Sequence, residues 1–259
     1  MIIRHSQKNV PHRFVRLSFG IAVALMLGAI FIHPAAAEDP VELVTKADHI
    51  RFPATDFQVK VVITTTSADS QPDVHEYQVL SKGNENTIVH TTEPASDRGQ
   101  ILLMKGRDLW VFMPSVSQPV RLPLSQRLTG QVANGDMARA NFTGDYTPTL
   151  LRTDTINNTS YHVLELNAVD RTVTYHRVLY WIDKTSYRPF KAEFYSLSNH
   201  LIKTAHYRNF KQMEGEIRPT ELLLIDALSN EQSLLVYSDM KRRELPDKIF
   251  TKDYLKKLE

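Results

Sequence analysis

Residues 109–136 read LWVFMPSVSQPVRLPLSQRLTGQVANGD. Five large apolar residues, Leu109 to Met113, lead into Pro114, Pro119 and Pro123, with hydrophobic residues still between the prolines. At strand spacing Trp110 and Phe112 share one face, and Val111 and Met113 share the other. A proline cannot donate to a sheet ladder, so this chain must run along an edge or a rim. The continuation, LSQRLTGQVANGDMARANF at 124–142, reads as a helix starting at Ser125 with Leu128, Val132 and Met137 apolar, weakened by Gly130 and Gly135. A loosely held amphipathic segment beside a sheet is either a lid or a loop packed on the core.

On both sides of this stretch the apolar period is two. FQVKVVITTT (57–66) places Phe57, Val59, Val61 and Ile63 on one face, and the β-branched threonines extend the strand. Residues 75–92 read as two strands about Gly83–Asn84, and 100–114 as a hairpin turning at Lys105–Asp108. Further strands are expected at 161–169, 173–183, 190–197, 201–210, 218–228 and 233–241, with turns at 184–189, 198–200 and 229–232. Two short helices flank them. PVELVTKADHIRFP (40–53) carries Val41, Val44 and Ala47 at helical spacing and stops at Pro53, while FTKDYLKKLE (250–259) has Thr251 as its cap. About ten antiparallel strands in hairpin order predict one large curved sheet or barrel, a mainly β fold. LWVFM, VLYWID and ELLLIDAL are apolar on both strand faces. The second face is therefore covered by helices and loops, or it lines an apolar cavity.

The first 37 residues have a different character. Arg4, Lys8, Arg13 and Arg16 precede the apolar run IAVALMLGAIFI (21–32), and AAA at 35–37 follows. These are the three parts of an export signal cleaved before Glu38, leaving 38–259 as a single domain. Taking those four basic residues from the 31 in the chain leaves 27 Lys and Arg against 29 Asp and Glu. A near-neutral mature chain has no electrostatic case for nucleic acid. The chain contains no cysteine, so neither disulfides nor a lipid-modified cysteine enter.

Motifs for chemistry are missing. There is no GxSxG, P-loop or HExxH, and none of the seven histidines after residue 37 is spaced with another as a helical metal pair. His162 and His176 are read as surface partners across strands. No catalytic residue, metal ligand or cofactor is assigned, and the chain is read as a non-enzyme.

Three blocks carry a resemblance. GRDLWVFMPSVSQPVRLPLSQRLTGQVANGDMARANFTGDYTP, LYWIDKTSYRPFKAEFYSLSNHLIKTAHYRNF, and RPTELLLIDAL with VYSDMKRRELPDKIFTKDYLKKL resemble the outer-membrane lipoprotein-sorting family, the LolA-like periplasmic proteins. Val120 and Arg121 stand where that pattern has a basic pair. The resemblance implies a half-open antiparallel β-barrel, with short helices forming a lid over an apolar cavity. It implies a carrier in the periplasm of a Gram-negative bacterium, moving acyl chains of a lipoprotein or lipid from an inner-membrane transporter of the RND type towards an outer-membrane acceptor. The competing reading is a lipid sensor or transporter accessory subunit that binds without transfer. The implied cavity or lid residues are Trp110, Phe112, Met113, Leu122, Leu124, Arg127, Leu128, Met137 and Phe142, with Arg127 meeting a headgroup or holding the lid.

Overall fold

Alternation of apolar and polar residues at period two is realised as strands in most of the segments where the sequence shows it. The computed structural model describes residues 1–2, 38–68, 70–83, 85–139 and 141–255. The export-signal reading lies outside these residues except for Met1 and Ile2, as does the last turn expected beyond Leu255. Glu38–Glu259 forms a compact unit of its own.

The strands are β1 (Phe57–Thr66), β2 (Asp73–Lys82), β3 (Asn86–Glu93), β4 (Ile101–Lys105), β5 (Asp108–Met113) and β6 (Val116–Leu122), then a small hairpin of β7 (Arg127–Thr129) and β8 (Val132–Ala133). They continue as β9 (Tyr146–Ile156), β10 (Thr159–Ala168), β11 (Arg177–Asp183), β12 (Pro189–Tyr195), β13 (Leu201–Met213), β14 (Glu216–Asp226) and β15 (Gln232–Arg242). All but β7 and β8 join one 13-stranded sheet, β6 to β1 and then β15 back to β9. Each half is an antiparallel meander, and β1 pairs with β15, with Val61 opposite Tyr237 and Ile63 opposite Leu235. The two ends of the domain thus meet in mid-sheet, and the free edges β6 and β9 come from its middle. Both edges contain a proline, Pro119 in β6 and Pro148 in β9, which blunts them against further pairing. The sheet is not closed, and residues 123–145 span the gap between its edges: the fold is a half-open barrel.

The inner face holds the main core. Val59, Val79, Val89, Leu102 and Val111 come from successive strands of the first half, and Leu164, Tyr180, Phe194, Tyr207 and Leu224 from the second. Helix α1 (Pro40–Arg51), with Asp39 as its cap accepting from the Val41 N–H at 3.0 Å, lies on this face. Its buried side is Leu43, Val44, Ala47, Asp48 and Arg51, whereas Val41, expected there, is 51% exposed. The face set by the cap and Pro40 is rotated from the simple apolar stripe, because it carries an ion pair inward.

The segment read as one broken helix from Ser125 is instead the β7–β8 hairpin followed by α2 (Asn134–Ala138). Gly130 turns the hairpin at φ +47°, so close to β1 and β15 that a Cβ there would sit 2.0 Å from Thr65 Oγ1 and 2.4 Å from Ser233 Oγ. Helical propensity lost to this close approach. His162 is another correction: it is buried rather than a surface partner, and burial holds its imidazole below the ordinary histidine value, while His176 is exposed.

Gly130→Ala is expected to cost about 1–3 kcal/mol from strain and overpacking, read by urea unfolding. Gly106→Ala, at a similar φ of +59° but with open space where its Cβ would be, should cost about 1 kcal/mol or less.

Candidate functional site

The trough enclosed by the sheet is filled from two sides. α1 covers part of the β9–β14 half, and the 123–145 segment inserts Leu124, Val132, Met137 and Phe142 into the same core. Phe142 packs edge-on against Tyr146 and Tyr180, with ring centroids 5.5 and 5.1 Å away. Beneath it remains a void of about 20 Å³, and a second of similar size lies beside Met137. Each is the size of a single water molecule. The interior is occupied by the protein's own side chains.

Polar contacts fasten that inserted segment. Asp48 of α1, 1% exposed, accepts from the N–H groups of Phe142 (2.9 Å) and Thr143 (2.8 Å) and from the Thr143 hydroxyl (2.7 Å). Burial pushes its carboxyl above the usual carboxylate range, opposed by Arg51, whose guanidinium lies 3.3 Å away and over the rings of Phe142 and Tyr207. A buried charge held this way is stable only while its partners stay in place.

A second fastening centres on Asp136. It caps α2 by accepting from the Ala133 N–H at 2.8 Å, accepts the Tyr175 hydroxyl at 2.9 Å, and pairs with Lys203 of β13 at 2.7 Å. Lys203, 3% exposed, also donates to the Gln131 carbonyl. Burial drives the Tyr175 phenol well above its ordinary value and the Asp136 carboxylate adds to this, so the hydroxyl stays a proton donor. The third is Asp145, which accepts from Arg107 Nε at 2.9 Å and from Arg139 Nε. Arg107 also reaches Asp170 at 2.6 Å. Together these tie the segment to α1, to the far half of the sheet and to the β4–β5 turn.

The residues singled out in the sequence fall into two groups. Leu124, Met137 and Phe142 belong to the inner core, and Leu122 and Leu128 pack against it. Arg127 is exposed at the start of β7, opposite Ala133 of β8 and near Asp226. Trp110 and Phe112 face the other way, onto the outer side of the sheet, in a cluster with residues of the C-terminal turn Asp247–Phe250 and α3 (Lys252–Leu255). Lys252 Nζ stands 4.0 Å above the Trp110 ring. Met113, at the end of β5, touches the inner core and also lines an outer cavity of about 390 Å³ with Phe112. The sequence reading missed Asp48, Arg51 and Lys203. A charged residue on the apolar side of a helix or strand was the only available signal. Among the described residues no group of three His, Asp or Glu could hold a metal ion.

A crystal structure of a LolA superfamily protein, NE2245 from Nitrosomonas europaea, is 63% identical, with a TM-score of 0.82 over 84% of this chain and 100% of that one. The chain belongs to the LolA superfamily. A family model described as "-like: Uncharacterized protein" matches residues 83–257. The same fold is found in a DUF1329 family protein from Desulfovibrio piger (17% identity, TM-score 0.73, covering 84% of this chain and 100% of that one). It is found again in a domain named for outer membrane lipoprotein sorting from Vibrio parahaemolyticus (20%, 0.70, 84% and 98%). No curated protein matches the sequence. No helix among the described residues is long and apolar enough to cross a membrane.

Lys203→Met should destabilise the fold by about 3–5 kcal/mol, because it leaves the Asp136 charge uncompensated. Adding Asp136→Asn should recover part of that loss. A double-mutant cycle by chemical denaturation reads the coupling, which would be absent if the pair were solvated.

Proposed function

We propose that this protein is a periplasmic carrier of acyl chains, of a lipoprotein or another lipid, and that the trough beneath residues 123–145 is where the chain binds. The observation that carries this reading is the construction of the interior. An unclosed sheet has an apolar inner face, and the segment filling it is a separate piece of chain whose anchors are polar. Leu124, Val132, Met137 and Phe142 keep the trough dry when it is empty, so no large apolar patch faces water. An entering acyl chain replaces their burial with its own, at about 0.8 kcal/mol per CH₂. The exchange of one apolar filling for another is nearly balanced, which suits a carrier that must also release.

Opening requires the Asp48 contacts to Phe142 and Thr143 to part, and with them the Asp136 and Asp145 pairs. These are local, polar and water-replaceable, so a membrane or transporter surface that engages the segment could shift the equilibrium. No covalent step is involved. Export by the N-terminal signal, an RND-type transporter as donor and an outer-membrane acceptor complete this reading, in keeping with the name of the lipoprotein-sorting domain whose fold the chain shares.

The test uses the absence of cysteine from the chain. Thr45 Oγ1 of α1 and Thr143 Oγ1 are 3.4 Å apart, so Thr45→Cys/Thr143→Cys can join α1 to the segment. The oxidised form should neither take up a fluorescent acylated peptide from vesicles nor pass it on, and reduction should restore both. Equal uptake in the oxidised and reduced forms would sink the trough as the binding site. Uptake without delivery to acceptor vesicles would instead favour a sensor or accessory subunit.

A further inference from the structure

On the outer side of the first half-sheet, two ladders of side chains cross four strands. One runs Leu80, Ile88, Leu103, Trp110, and the next runs Gln78, His90, Ile101, Phe112, each residue opposite its neighbour in the antiparallel register. A surface-exposed sheet would carry polar residues in these rows. The C-terminal turn buries the first row: Leu245, Phe250 and Leu255 pack over Leu103 and Ile88, and Lys252 caps Trp110. The second row, with Leu80 and Ile88 of the first, is left as the floor of the 390 Å³ cavity, whose lining is completed by Pro114, Ile249 and Tyr254. Four strands set the floor at about 14 Å long, and the volume lies in the range of small-molecule sites.

The cavity is polar at one end only. Ile101 and Phe112 make the β4–β5 end apolar, whereas Gln78, His90 and Arg243 gather at the other. Gln78 is engaged with the Val59 carbonyl at 3.1 Å, and the nearby Glu76 is paired with Lys60 at 2.8 Å. Arg243 is exposed and donates to the neutral Gln58 side chain at 2.8 Å; among the described residues it has no carboxylate partner. A narrow apolar slot ending at an uncompensated guanidinium complements an amphiphile with one chain and an anionic head.

We propose that this outer cavity is a second ligand site, for a single long-chain carboxylate, with the chain along Ile101 and Phe112 and the carboxylate on Arg243. The site is separate from the inner trough: the sheet itself lies between them, and occupancy of one requires no movement of residues 123–145. The C-terminal turn is its wall, so a bound chain joins that turn to the sheet by apolar contact on both sides.

The experiment titrates dodecanoate, with dodecanol as the neutral counterpart, into the protein and into its oxidised Thr45→Cys/Thr143→Cys form, by calorimetry and by the fluorescence of Trp110 one row away. One equivalent of dodecanoate should bind both forms alike. Arg243→Gln should weaken dodecanoate about tenfold and leave dodecanol unchanged. Ile249→Trp, a partly exposed position at the wall, should fill the slot and remove both ligands. Binding lost on oxidation would assign the ligand to the inner trough and overturn the proposal. Indifference to Arg243→Gln, or no binding by either ligand, would overturn it as well. Because Arg243 is on the surface, its substitution tests the site even if the Ile249 variant does not fold. Failure of lipid uptake in the locked protein, the test of the carrier reading, leaves this result unaffected.

Discussion

A large twisted antiparallel sheet with a continuous apolar inner face must keep that face out of water. Closing into a barrel would do it, but here the closing pair is never made. β1 pairs with β15, so both meanders grow outward from the middle of the sheet and end at β6 and β9, each blunted by a proline. The chain between those edges therefore has to serve as the wall that hydrogen bonds do not provide. The β7–β8 hairpin, α2 and Phe142 are consequences of that gap, and so is the need for α1 on the other half.

A wall made of side chains is held differently from one made of strands. A strand pair is fixed by many ladder bonds, whereas residues 123–145 are held by carboxylates at three points, Asp48, Asp136 and Asp145, each with a cationic partner. Such contacts are directional and costly to break singly when buried, yet all their groups can be solvated once the segment lifts. The three contacts therefore hold the segment as a set rather than one by one. Holding the segment explains why polar groups occupy positions that packing alone would give to Leu or Val.

The outer face follows a parallel logic on a smaller scale. The apolar rows on β2 to β5 are too wide for the C-terminal turn to cover, and the uncovered row becomes a slot with Arg243 at its polar end. Two apolar faces of one half-sheet are thus dried by two different segments, one from mid-chain and one from the C-terminus.

Much of this was legible from residue order. Most of the strand segments and turns, the Pro40 start of α1 and the Thr251 cap, which accepts from the Tyr254 N–H at 3.2 Å, follow from local pattern and stereochemistry. So did the opposition of Trp110 and Phe112 to Val111, because side-chain direction alternates by strand geometry alone. Which of those two faces is the inside could not be read locally. It depends on β1 meeting β15 and on a C-terminal turn that returns to β5 from more than a hundred residues away. The helix expected from Ser125 failed for the same kind of reason, since Gly130 is pressed against Thr65 and Ser233 from the two central strands. The fastenings were hidden most completely: Asp136 finds Lys203 at a separation of 67 residues and Asp48 finds Thr143 at 95. By itself the sequence determined most of the strands, the proline-marked edge after β5 and the apolar rows, which are set by neighbours two to four residues apart; the other edge, β9, was not read. The tertiary structure alone decided inside from outside and where residues 123–145 are fastened, because those depend on long-range pairing that brings buried charges to their partners.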